Sequence, residues 1–316
     1  MLKTTILPFS NPLLVRNFLV GVSGVVDCYG AEKSTLSAVD RRTGDVAWET
    51  LVYSSKTTPL RMGEKLALIA PGSCDLRFLD PASGKPSRCF KLPKKPEVRR
   101  GLPSLNLTEL GSCFYTVPFG KTRQLVSARV VDQELEELGR LKEPLGIRVL
   151  LGELMIYRHP SSPIVTIVDH TLEKSQKIAG GAIAALGEQL WVASYSGGRD
   201  VISHYTHFKD STPDSVYPFS GIVQKIAKVF KDGTLLIEAF PQGLLFFNPD
   251  WKSPVQVVSK SCDSYWCGDD RRVYVLDQCD MSVTLYTNGE KLGTTLIDET
   301  ASTIEHVFKS TVFLSA

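Results

Sequence analysis

The chain has 316 residues, is 43% hydrophobic and carries a formal charge of only +2 at pH 7. That length and apolar content bury a sizeable core and are ordinary for one large β domain. No stretch approaches the ~20 apolar residues that span a bilayer, and seven irregularly spaced cysteines do not make a disulfide framework.

Met1-Leu2-Lys3 followed by apolar residues has the look of a signal segment, with Cys28 downstream. Pro8, Asn11, Arg16 and Asn17 interrupt it, and Asp27 before Cys28 does not suit lipoprotein processing. The reduced state of the cysteines and the absence of a clean signal together predict a cytoplasmic protein.

Eight times a short polar turn is followed at once by a compact apolar run. The turns lie near Asn17, Glu64, Ser112, Glu153, Glu188, Gly233, Asp270 and Ser310, a spacing of about 42 residues. The runs are residues 18–22, 66–70, 113–117, 154–157, 190–193, 235–240, 273–276 and 312–314. Each is too short for a typical helix, and most are rich in β-branched or aromatic residues. They read as strands buried on both faces. The period matches a four-stranded propeller blade, so an eight-bladed β-propeller spanning residues 1–316 as a single domain is predicted, with seven blades as the alternative. The last turn is followed by one short strand only. Leu2–Phe9 is therefore expected to add the outer strand of the final blade, so that the ring closes and leaves no free sheet edge.

A second marker follows most of the turns. In the first unit it runs Ala38-Val39-Asp40, Thr43-Gly44 and Trp48; the second repeats Leu79-Asp80 and Ser83-Gly84. Asp suits the start of a tight turn because its carboxylate accepts a nearby backbone N–H, and Gly suits a position needing positive φ. Weaker echoes are Asp132, Asp169, Asn248-Pro249-Asp250-Trp251 and Asn288-Gly289. Ala38, Asp40, Thr43, Gly44 and Trp48 follow the order and spacing of the PQQ-like repeat, and the chain resembles that β-propeller family. The resemblance implies a propeller fold and raises quinone-dependent dehydrogenase chemistry. Those enzymes are longer, and they stack the cofactor on a disulfide between adjacent cysteines that this chain lacks. Their calcium-binding loops are not recognisable here either. The non-enzymatic propellers of this kind, the bacterial outer-membrane assembly lipoprotein among them, are the better comparison.

Between the second and third units lies a stretch holding Lys85, Arg88, Lys91, Lys94, Lys95, Arg99 and Arg100, opposed only by Glu97. Pro86, Pro93 and Pro96 stiffen it into an extended arm. It concentrates the positive charge of a nearly neutral chain and is the predicted partner-binding segment. Phe90 is its one aromatic residue, so an acidic protein surface is favoured over RNA or DNA. Farther on, residues 132–142 read as an outer hairpin. The polar loop Ser196–Asp200 with Lys209–Asp214 is a second candidate surface, with Tyr195, Tyr205 and Tyr217 read as blade packing.

The search for chemistry is mostly negative. Phe119-Gly120-Lys121-Thr122 joins two predicted strands and lacks the helix N-terminus that a phosphate loop needs. His204 and His207 face opposite sides of a strand, which argues against a shared metal. Cys262 and Cys267 have the wrong spacing for a zinc knuckle. Asp269-Asp270 reads as a polar hairpin tip. No cofactor or metal is predicted. The expected function is a non-catalytic protein-interaction platform in a multiprotein assembly. The rivals are a hydrolase or lyase with its site in the central funnel, and a nucleic-acid or small-ligand binder.

Overall fold

The computed structural model describes residues 2–26, 32–52, 58–69, 74–92, 105–107, 112–119, 122–131, 134–142, 147–151, 154–158, 164–172, 175–196, 199–210, 212–259, 262, 264–297 and 301–315. Every regular element among them is a β-strand. The strands form seven four-stranded sheets and one of three strands, eight in all, and the architecture is an eight-bladed β-propeller. Within each four-stranded sheet the strands lie side by side in chain order.

The eight apolar runs all become second strands of their sheets: Phe18–Val26, Lys65–Ile69, Ser112–Phe119, Leu154–Arg158, Gln189–Ser196, Leu235–Phe240, Arg272–Asp277 and Thr311–Ser315. Such a strand has a neighbour on either side in the sheet and packing on both faces. Leu235, Leu236 and Ile237 are accordingly all fully buried. The fourth strands are different: in Val46–Val52 most side chains are exposed. The apolar run is therefore a signature of the inner part of a blade, and the outer strands carry little of it.

The chain divides into two compact units. One comprises Leu7–Met155 with Val168–Lys174; the other comprises Met1–Ile6, Ile156–Ile167 and Ser175–Ala316. In the first unit, Val15, Val20, Leu36, Ala38, Leu66 and Leu79 form a core between the first and second sheets. A second core joins Ile69, Leu76, Phe78 and Phe90 to Tyr115, Val117 and Val126 of the third sheet. Residues 132–142, expected as a hairpin, supply one arm of one: Glu134–Lys142 is the outer strand of the third sheet, antiparallel to Thr122–Val131, with a bulge at Ser127/Ala128. Asp132 lies outside the described residues. The second unit follows the same plan, with Trp191, Ile202 and Phe219 packed against Ile226, Leu235 and Phe247 of the next sheet.

The three-stranded sheet is completed by the N-terminus, as predicted. Lys3–Ile6 runs parallel to Thr311–Ser315, with Lys3 opposite Thr311 and Ile6 opposite Leu314. The Lys3 amide donates to the Ser310 carbonyl at 2.8 Å. Leu2 and Ile6 pack on the core formed by Leu276, Ile304, Val312 and Leu314.

The Asp-turn-Gly markers are turns between third and fourth strands. At Asp40 the side chain accepts from the Arg42 amide at 2.9 Å, and its carbonyl accepts from Gly44 at 2.8 Å. At Asp80 the side chain accepts from the Ala82 amide at 3.2 Å, and the carbonyl accepts from Gly84 at 2.8 Å. Gly44 and Gly84 have φ of 87° and 67°, the left-handed conformation for which glycine carries no Cβ penalty. The Arg42 guanidinium, hydrogen-bonded to Asp40, holds that carboxyl below its usual range.

Candidate protein-docking surface

The basic segment begins at the Asp80–Gly84 turn and continues as Pro86–Lys91, the outer strand of the second sheet. It pairs with Asp75–Leu79 in a register that sets Arg88 opposite Phe78 and Phe90 opposite Leu76. Phe90 is the one buried side chain of the strand, meeting Phe78 edge-on at 5.2 Å between ring centres. The remaining side chains, Arg88 and Lys91 included, are exposed. Lys94, Lys95, Arg99 and Arg100, the rest of the predicted site, lie outside the described residues.

Beside this strand is a cavity of about 330 Å³. Met62, Phe78, Leu79 and Phe90 supply its apolar wall. Arg88 lines it together with two cations the sequence reading did not single out, Arg16 and Lys65. Arg16 comes from the turn between the first and second strands of the first sheet, at φ of 55°, and Lys65 opens the second strand of the second sheet. The anions at the cavity are engaged. Glu64 sits 3.5 Å from Arg16. The Ser83 hydroxyl and the Ala82 amide, aided by Arg16, hold the Asp80 carboxyl below its usual range. Lys65, Lys85, Arg88 and Lys91 make no ion pair with any described residue.

The second predicted surface does not assemble as read. Ser196–Asp200 and Lys209–Asp214 lie at opposite ends of the strand Arg199–Tyr205, because the first is the turn into that strand and the second the connection out of it. Tyr205 is buried, and Tyr217 stacks on Trp191 at 6.3 Å, so both are packing residues; Tyr195 is exposed.

The remaining polar candidates each resolve to a local role. His204 stacks on Trp191 at 4.1 Å, whereas His207 Nδ1 lies 3.0 Å from Glu188 Oε2. Asp269 meets Lys228 at 2.7 Å and Asp270 meets Arg272 at 3.4 Å. The hydrogen bond from Lys228 depresses the Asp269 carboxyl. Each aspartate faces a cation, as a polar hairpin tip requires, and the pair is not arranged to share a proton. Phe119 and Thr122 oppose each other across antiparallel strands; Gly120 and Lys121 lie outside the described residues, as do Cys28 and His159. Cys74, Cys89, Cys113, Cys262, Cys267 and Cys279 are free thiols. Burial pushes Cys113 and Cys267 up to about 12, so neither is an activated nucleophile. Among the described residues no three His, Cys, Asp or Glu side chains are grouped to hold a metal ion. Among the described residues no helix is long and apolar enough to cross a membrane.

No family model matches the chain, and no curated protein matches it. Solved structures do. BamB from Moraxella catarrhalis aligns with a TM-score of 0.54 at 9% identity, covering 94% of this chain and 88% of that one. A eukaryotic initiation factor aligns with a TM-score of 0.55 at 11% identity, covering 93% of this chain and 80% of that one. Likenesses at this level of identity establish the propeller fold.

Proposed function

We propose that this protein is a non-catalytic platform of the PQQ-like propeller kind, binding an acidic protein partner within a cytoplasmic assembly, with residues 1–316 acting as one domain. The observation that carries this reading is a cluster of exposed cations, Lys85 beside the turn and Arg88 and Lys91 on the outer strand that follows, without ion pairs among the described residues. A charge left uncompensated on a chain of net charge +2 steers an oppositely charged surface toward it. A β-sheet scaffold is ordered before binding, so the ordering cost of association is confined to side chains. In this proposal Lys94, Lys95, Arg99 and Arg100 also contribute to partner binding.

The test is an affinity capture from native extract, comparing the wild-type chain with a variant carrying Lys85→Glu, Arg88→Glu and Lys91→Glu. The expected result is a defined partner with an acidic surface that is lost on charge reversal. Recovery of this chain alone and monomeric, or of a partner indifferent to the reversal, would overturn the reading. A nucleic-acid partner would show itself by a steep fall in affinity with salt, relieved in slope by the same substitutions.

A further inference from the structure

We infer that the cavity beside Pro86–Lys91 receives one bulky apolar side chain from an extended acidic peptide, whose carboxylates engage Arg88 and Lys65. This deepens the proposed function and rests on it.

Size limits the occupant first. At about 330 Å³ the cavity has room for one bulky side chain. Its chemistry is divided. The wall formed by Met62, Phe78 and Phe90 is apolar, so a hydrocarbon or aromatic group gains by leaving water there. The margin formed by Arg16, Lys65 and Arg88 is cationic. An apolar ligand alone would leave those cations unanswered, and an anion alone would leave the wall wet. A peptide with an apolar residue between acidic ones satisfies both.

The charge balance favours carboxylates specifically at Arg88 and Lys65. Asp80 is spent on its own turn, with its carboxylate bound to Ser83 and Ala82. Glu64 is held by Arg16 alone at 3.5 Å, with both side chains at least half exposed. Such a surface pair is worth little, so an incoming carboxylate can displace Glu64 at small cost. The extended form of the ligand follows from the layout. The strand that carries Arg88, Pro86–Lys91, runs extended beside the cavity at ~3.3 Å per residue. A peptide in the extended conformation spaces its carboxylates at the same rise, whereas a helical one would compress them to less than half of it.

The experiment uses the full chain and a fluorescent synthetic peptide in which one phenylalanine is flanked on both sides by aspartate and glutamate. Anisotropy titrations are repeated with two altered peptides. In one the phenylalanine becomes alanine; in the other the acidic residues become their amides. Two protein variants accompany them: Arg88→Glu, and Ser87→Tyr, which fills the cavity from its exposed edge while leaving every cation in place. We expect each change to weaken binding about tenfold or more, as truncation of a buried anchor does. Binding that falls on charge reversal but is indifferent both to peptide phenylalanine and to Ser87→Tyr overturns the anchor while leaving the acidic-partner platform standing. Indifference to Arg88→Glu and to amidation overturns both. Absence of binding by the phenylalanine peptide overturns the inference, as does tighter binding of a single-stranded oligonucleotide that competes at the same cations. Circular dichroism melts accompany the variants; should Ser87→Tyr unfold the chain, the phenylalanine-to-alanine peptide decides the matter on wild-type protein.

Discussion

Trp48 lies so close upon Gly84 that a Cβ at position 84 would sit 2.6 Å from indole Cε3. The same indole donates through Nε1 to the Pro81 carbonyl at 2.7 Å. An outer-strand residue of the first sheet thereby caps the turn of the second. Trp48→Ala removes both the packing and the hydrogen bond of a half-buried ring and should cost about 2–3 kcal/mol. Gly84→Ala meets the ring and also adopts an unfavourable φ, for about 2 kcal/mol. In the Trp48→Ala background the clash is gone, and Gly84→Ala should cost only about 1 kcal/mol. Urea unfolding of the four proteins closes this cycle; additive losses would show that the contact does not couple the two residues.

His204 supplies the clearest pH dependence. Burial against Trp191 pushes its imidazole below the ordinary 6.5, with Asp214 opposing the shift. The native state therefore favours the neutral ring. As pH falls below 6.5 the unfolded chain takes up this proton first, so stability is complete above that value and declines until the lowered native pKa is passed. His204→Phe keeps an aromatic stack and removes the titration. Melting temperatures at about pH 7.5 and about pH 5 should differ less for the variant than for wild type. An equal acid loss in both proteins would place the titration elsewhere.

The inner strands were legible because burial on both faces leaves nothing but apolar side chains, as in Leu235-Leu236-Ile237. Asp40 and Gly44 were legible too, because a tight turn demands those residue types at fixed spacing. The cavity beside Pro86–Lys91 was only half legible. Arg88 stood out within a run of positive charge, but Arg16 and Lys65 are isolated in the sequence and share the cavity with Arg88 only because a turn of the first sheet lies beside the second sheet. The pairing of Ser196–Asp200 with Lys209–Asp214 failed for the opposite reason. The two segments are near in sequence, but an intervening strand, Arg199–Tyr205, sets them apart in space.

Removal of residues up to and including Ile6 strips the parallel partner from Thr311–Ser315. Leu2 and Ile6 also leave the core beside Ile304 and Val312. An edge so exposed is a template for pairing with other chains. The truncated protein should melt about 5 °C or more below the full chain and form concentration-dependent oligomers on size-exclusion chromatography. A monodisperse truncation with unchanged melting would mean that the first strand contributes nothing to closure.

Arg271 is bracketed by two rings, with its guanidinium carbon 5.6 Å from the Phe230 ring centre and 5.9 Å from that of Trp251. It also donates to Thr234 Oγ1 at 3.0 Å and pairs with Asp232. Thr234 is buried and accepts a further bond from Asn248 Nδ2 at 2.9 Å, so the guanidinium ties the turn of one sheet to two turns of its neighbour. Arg271→Ala should destabilise by about 2 kcal/mol through loss of the cation–π contacts and the charged hydrogen bonds. Arg271→Lys retains a charge but not the planar fork, and should recover about half of that. The backbone here sits at φ of 60°, which disfavours any residue with a Cβ. Arg271→Gly should therefore be about 1 kcal/mol more stable than Arg271→Ala despite making no side-chain contact at all. Thermal melts rank the four proteins: wild type above Lys, with Gly above Ala. An alanine variant as stable as wild type would remove the bracket from the forces that hold these sheets together.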